Sequence, residues 1–246
     1  MRAKNLFLAV LCTGLLVATA VLASTTGSVG SPNVKKGKAS VEARLGYSLA
    51  DNTSSNDKRL RTRVQYDHGL TDIYALRIIA AGNKSKGDNH EADSIGIENR
   101  FHLLKAEDHN FDFGLRAGYT FKDGDKKPDA ISFGFFERGR PGEWDLRFNQ
   151  LFKREVGVEQ SPGLAAENRV QATHGYADGK HRAGLELFSS FGKLNQLSGY
   201  SNQDHTIGPV FKGKLPHGIS YETGYRTGIS QAAPDHSFKI FLSRGF

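Results

Sequence analysis

Apolar and polar residues alternate along nearly the whole chain, and this period of two restricts the fold more than any other feature. The stretch from Phe111 to Phe121 shows it most cleanly, with Phe111, Phe113, Leu115, Ala117, Tyr119 and Phe121 on one parity. Similar segments begin near Ala39, Leu60, Tyr74, Ile95, Ile131, Trp144, Ala166, Ala183, Ile207, Ile219 and Phe238. Together they predict about twelve strands, each with one oily and one wet face. The hydrophobic share of 38% and mean hydropathy of −0.47 exclude a polytopic helical membrane protein. They do not exclude a barrel, which shows its apolar surface only at every second position.

The connections alternate in length. Asp67-His68-Gly69, Asp108-His109-Asn110, Arg140-Pro141-Gly142, Ala177-Asp178-Gly179 and Pro216-His217-Gly218 read as tight turns. Between them lie mostly longer polar loops, including Asn52–Asp57, Gly82–Glu91, Lys122–Pro128 and Gly192–Asp204. Short periplasmic turns facing longer external loops give this pattern, with both chain ends on the periplasmic side. Tyr66, Tyr74, Phe101, Phe111, Phe135, Trp144 and Tyr221 gather near the tight-turn ends, as an interfacial aromatic girdle requires.

In the last dozen residues Phe238, Ile240, Leu242 and Phe246 share one parity, while Phe241 is apolar on the wet side. Arg244 is a charge on the oily side, near enough to the end to snorkel. A strand of this kind finishing on an aromatic resembles the C-terminal assembly signal of Gram-negative outer-membrane β-barrels. The resemblance implies an all-β fold, a transmembrane antiparallel up-and-down barrel in the cell outer membrane. It also implies outer-membrane lipid, lipopolysaccharide and the barrel-assembly machinery as partners.

The front of the chain fits that destination. Arg2 and Lys4 precede an uncharged run from Leu6 to Ala23, and small residues follow. This is the pattern of a secretory signal peptide cleaved after Ala23 or Ala20; an uncleaved anchor would call for a charged stop-transfer segment instead. The expected organisation is a signal peptide over 1–23, a short periplasmic lead-in over 24–37 and the barrel over 38–246. Cys12, the single cysteine, leaves with the signal, so disulfides and thiol chemistry are not expected.

The opposite parity should face the lumen, and it is rich in cations: Arg44, Arg61, Arg63, Arg77, Arg100, Arg116, Arg147, Arg169, Arg182, Lys212, Arg226 and Lys239. Acids on it are fewer: Glu42, Glu98, Asp112, Asp145, Glu167, Glu186 and Glu222. Gly96, Gly114, Gly118, Gly134, Gly184, Gly208, Gly224 and Gly228 lie between them, so either arginines fold over those gaps or solutes occupy them. Two readings stay open. Opposite charges two apart, such as Glu42 and Arg44, Glu98 and Arg100, or Glu167 and Arg169, invite ladders that fill a closed interior, a non-conducting structural or surface-interaction barrel. Alternatively, uncompensated guanidinium groups offer bidentate sites to carboxylates or phosphates in a narrow anion-preferring channel. Size, strand count and arginine-rich lumen are similar to the monomeric porins for acidic oligosaccharides, a likeness of architecture without a shared motif. It implies a monomer passing small anionic solutes.

A third reading is a lipid-modifying hydrolase. The His-x-Ser motif of the twelve-stranded outer-membrane phospholipase is missing, and His236 and Ser237 are adjacent, so they point to opposite faces. His174 lies at the tight-turn end; His205 and His236, near the outer loop ends, are the histidines placed to approach Ser230. No metal, cofactor or nucleic-acid motif is present, and the net charge of +7 has no such motif beside it. If the signal reading holds, N-terminal sequencing of outer-membrane fractions will find a chain beginning near Ser24, and Phe246→Ala will lower the assembled amount. Met1 retained in inner membranes is the opposite outcome.

Overall fold

A computed structural model describes residues 25–51, 57–122, 127–177 and 179–246. The alternating segments form twelve antiparallel strands: β1 (Ala39–Leu49), β2 (Arg59–Gly69), β3 (Tyr74–Lys84), β4 (Glu91–Leu104), β5 (Phe111–Phe121), β6 (Asp129–Gly139), β7 (Trp144–Val156), β8 (Leu164–Tyr176), β9 (His181–Lys193), β10 (Asp204–Lys214), β11 (Ile219–Gly228) and β12 (His236–Gly245). Each pairs with its sequence neighbours, and β1 pairs with β12, so the sheet is a closed up-and-down barrel. A one-turn helix, α1 (Ala106–His109), and short 3-10 turns at Tyr200–Asn202 and Pro216–Gly218 are the other regular elements among the described residues.

Closure runs from Leu49 opposite His236 to Ser40 opposite Gly245. Below it the Ala39 N–H donates to the Phe246 carbonyl at 3.1 Å, and the Phe246 N–H returns to the Ala39 carbonyl at 2.9 Å. Outside, Val41, Leu45, Val64, Ile78, Ile95, Ile97, Ile131, Phe133, Leu185, Ile207, Phe211, Phe238, Ile240 and Leu242 are exposed. They make an apolar outer band, the surface a lipid-facing barrel presents. Aromatics at the tight-turn end pack on one another: Tyr74 on Phe101 at 5.2 Å between ring centroids, Tyr66 on Phe246 at 6.4 Å and Trp144 edge-on to His174 at 5.1 Å. No described helix is long and apolar enough to cross a membrane.

Several boundaries differ from the sequence reading: Gly82, Glu91 and Gly192, expected in loops, belong to β3, β4 and β9. Asp67, His68 and Gly69 belong to β2, and the turn is residues 70–73, where the Thr71 hydroxyl accepts from the Ile73 and Tyr74 N–H groups at 3.2 and 3.0 Å. Asp204 is the first residue of β10 rather than the end of a loop, and it is fully buried. Asp178 of the fourth tight turn and the signal-peptide residues 1–23 lie outside the described residues.

Several inward glycines are set by the closeness of adjacent strands. A Cβ on Gly184 would lie 1.9 Å from the Ala172 carbonyl oxygen, and one on Gly208 would lie 1.9 Å from that of Tyr225. Backbone cannot yield as a flexible side chain can. Gly184→Val and Gly208→Val should therefore each abolish the compact band of unboiled protein in SDS gels. Gly199→Ala, where an added Cβ meets nothing within 4 Å, should leave it unchanged.

Candidate functional site: a lumen of shared guanidinium groups

The pleat delivers the predicted cations to the inside of the barrel and sets most of them against carboxylates. Glu98 on β4 receives Arg77 from β3 at 3.1 Å and Arg116 from β5 at 2.9 Å. Asp67 on β2 holds Arg77 and Arg100, both at 2.8 Å. Arg169 grips Glu167 two residues away through two N–H groups, at 2.7 and 3.0 Å. Arg147 does the same with Asp145, at 3.1 and 2.7 Å, while Arg138 takes that carboxylate from the other side at 2.8 Å. Arg44 pairs with Glu42. Glu186 holds Lys239 at 2.7 Å and Arg226 at 3.6 Å; Glu222 holds Lys239 at 2.6 Å and Lys212 at 3.0 Å. Of the pairs two apart in a strand, Glu42 with Arg44 and Glu167 with Arg169 form, Arg100 goes to Asp67 rather than to Glu98, and other charges are shared across neighbouring strands.

The remaining predicted cations differ. Arg182 donates to the Thr173 hydroxyl and carbonyl, each at 3.2 Å. Arg63 faces Arg44 across the β1–β2 pair, and its Nε is buried without a hydrogen-bond partner. Arg61 lies farther up β2, next to Arg59 at the outer end, whose Nε donates to Asn83 at 2.6 Å.

Sequence reasoning missed part of the inner wall. Asp67 was assigned to a turn and Arg138 was passed over, although the parity of β6 places it inward. Phe136, Phe188 and Phe241 also face inward, at 7%, 0% and 2% exposure. Cations cover these rings: Arg226 stands 3.8 Å from the Phe188 centroid, Arg44 is 4.7 Å from that of Phe241, and Arg116 is 5.1 Å from that of Phe136. Shielded from water, a cation over an aromatic face contributes on the order of 2 kcal/mol.

The lead-in does not stay outside. Residues 35–38 turn at the barrel base, where the Gly37 N–H donates to the Gly69 carbonyl at 2.8 Å and the Lys36 N–H to Asp72 at 3.2 Å. From there, read toward the N-terminus, the chain climbs into the lumen. Arg100 donates to the Ser31 carbonyl at 2.7 Å, Arg147 to that of Val29 at 3.2 Å, Arg169 to that of Ser28 at 3.0 Å and Arg44 to that of Thr26 at 3.0 Å. Asn149 forms an amide pair with Gly30, accepting at 2.6 Å and donating at 3.1 Å. Val29, 1% exposed, packs on Phe188. A Cβ on Gly46 would meet that of Thr25 at 2.7 Å, and one on Gly114 would meet that of Pro32 at 2.6 Å. These two glycines make room for the segment, an occupant the sequence reading did not consider. Alongside it and down to the base runs a cavity of about 940 Å³, lined by residues of the segment itself, such as Ser31 and Asn33, and by Arg77, Arg100, His102 and Asp112.

The rim histidines do not assemble a nucleophile and base. The Ser230 hydroxyl donates to the Gln203 carbonyl at 2.6 Å and accepts from the His205 backbone N–H at 2.9 Å. The His205 ring bonds Gln203 at 2.9 Å, and His236 bonds the Tyr225 hydroxyl at 2.8 Å. Among the described residues no group of three or more His, Cys, Asp or Glu is placed to hold a metal ion.

No protein-family model matches the chain, and no curated protein matches it by sequence. Solved structures do match it. The KdgM porin in complex with disordered oligogalacturonate superposes with a TM-score of 0.57 at 8% identity, over 84% of this chain and 99% of that one. An outer membrane channel from Pseudomonas putida F1 gives 0.57 at 12% identity, over 92% and 100% of the two chains. The NanC porin gives 0.56 at 11%, over 83% and 98%. At these identities the likeness is one of fold: the chain is a closed twelve-stranded up-and-down β-barrel with the fold that these porins share.

Proposed function

We propose that this chain is a passive channel of the Gram-negative outer membrane for small anionic solutes, acting as a monomer and not as an enzyme. The observation that carries this reading is the make-up of the wall, apolar outside and lined inside by guanidinium and ammonium groups. Carboxylates and phosphates match the planar donor fork of arginine, which holds two oxygens at once. The KdgM porin, of the same fold, is described in complex with oligogalacturonate, an acidic oligosaccharide, and this supports an anionic solute class here. A cation surplus in a low-dielectric tube raises the local concentration of anions.

The second reading, a non-conducting barrel, draws support from the density of ion pairs. The two part company in a planar bilayer, where a channel shows small anion-preferring events and a structural barrel is silent. Arg63 is the informative position, because it faces Arg44 across the β1–β2 pair and its buried Nε has no hydrogen-bond partner. Arg63→Glu should move the reversal potential toward cations. The shift should shrink at 1 M salt, where the Debye length is about 3 Å. An unchanged reversal potential at low salt would count against the anion reading.

Glu186 tests the wall itself. It is 1% exposed, accepts from Lys239 and Gln171, and lies within ion-pair distance of Arg226 at 3.6 Å. Removing one partner of a buried charge set costs about 3–5 kcal/mol. Glu186→Gln should lower the denaturant midpoint of the folded barrel accordingly, whereas Glu91→Gln on the exposed outer end of β4 should not.

A further inference from the structure

We propose that residues 25–34 are an exchangeable plug, a self-ligand that anions entering the lumen displace by taking over its guanidinium donors. The segment Thr25-Thr26-Gly27-Ser28-Val29-Gly30-Ser31-Pro32-Asn33-Val34 carries no charged side chain. Its hold on the charged wall is made through backbone carbonyls, on Arg44, Arg100, Arg147 and Arg169. Each of these arginines keeps a carboxylate of the wall as well, so none depends on the plug for its counter-charge. A carbonyl is a neutral acceptor, and a hydrogen bond to an ionised oxygen is roughly twice as strong. A carboxylate or phosphate arriving at the same N–H groups therefore has the advantage over the peptide.

Beyond those four hydrogen bonds, what retains the plug in the absence of anions is modest and local: Val29 against Phe188, and the amide pair between Gly30 and Asn149. Ordering a segment with two glycines costs more backbone entropy than ordering most sequences, which favours release. The tie at the base, through Gly37 and Lys36, is independent of the lumen contacts, so the segment can leave the wall and remain tethered. Occupied by its own peptide, the lumen is narrow; with the plug displaced, the path that the solute needs is open.

The plug can be followed without any current. In a Cys12→Ser background, Val29→Cys puts the single thiol at a site 1% exposed in the plugged state. Maleimide labelling of the folded barrel should be slow in chloride and several-fold faster in inorganic phosphate at equal ionic strength. A rate independent of the anion overturns displacement. Gly46→Val, whose Cβ would lie 2.7 Å from that of Thr25, should expel the segment and make Val29→Cys labelling fast in chloride as well. Slow labelling in chloride in that folded variant overturns residence of the plug. The conductance arm rests on the channel reading above: deleting residues 27–33 should raise single-channel conductance several-fold. Equal conductance in the deleted and parent barrels overturns the plug, whereas silence in both with anion-dependent labelling intact sinks the channel reading and leaves the plug standing.

Discussion

In hydrocarbon no water is present to accept a stray N–H or to donate to a stray carbonyl, and each unmet group costs several kcal/mol. The structure follows from that constraint. Twelve strands use up one another's backbone groups, and the last pair, β12 on β1, removes the edge that any open sheet would leave. The exchange between Ala39 and Phe246 completes the ladder at the base. It also places an aromatic side chain beside Tyr66, at the level where a ring with one wet edge is most at ease.

Closure makes an interior, and the interior brings a second demand. Side chains pointing inward lie too close together for bulk solvation, so ionised groups there must meet each other. Arginine answers this by having more donors than one carboxylate can use. Arg169 shows the consequence, with two N–H groups on Glu167, a third on the Ser28 carbonyl, and its plane near Phe188 at 5.2 Å. Lysine behaves differently, as a point charge: Lys239 sits between Glu186 and Glu222.

The barrel was legible because lipid and lumen impose opposite chemistry on alternate residues, which prints directly into the sequence. Parity also puts Arg44, Arg77, Arg100, Arg116, Arg147 and Arg169 on the face where they meet carboxylates. It failed where one residue type serves two settings. Asp67 stands before a glycine, as turn aspartates do, yet its carboxylate bridges Arg77 and Arg100 inside the wall. Phe136 follows outward Phe135 and Phe188 follows outward Leu187, so both were submerged in apolar runs, and only Phe241 stood out as an apolar residue on the wet side. The segment 25–34 falls within the expected periplasmic lead-in because threonine, glycine, serine and proline carry no signal for a packed element. The signal that would have found it was the inward glycines, since Gly46 and Gly114 are small for the sake of Thr25 and Pro32 and not of adjoining strands alone.

The path of that segment has a mechanical side. It touches β1 through Arg44, β4 through Arg100, β7 through Arg147 and Asn149, β8 through Arg169 and β9 through Phe188, strands drawn from well-separated parts of the circumference. A hollow cylinder of sheet flattens easily, because bending across strands strains few hydrogen bonds. A rod fastened to facing walls opposes that flattening. While it occupies the lumen, the segment therefore links walls that the sheet joins only around its circumference, and its release leaves the cross-section to the sheet alone.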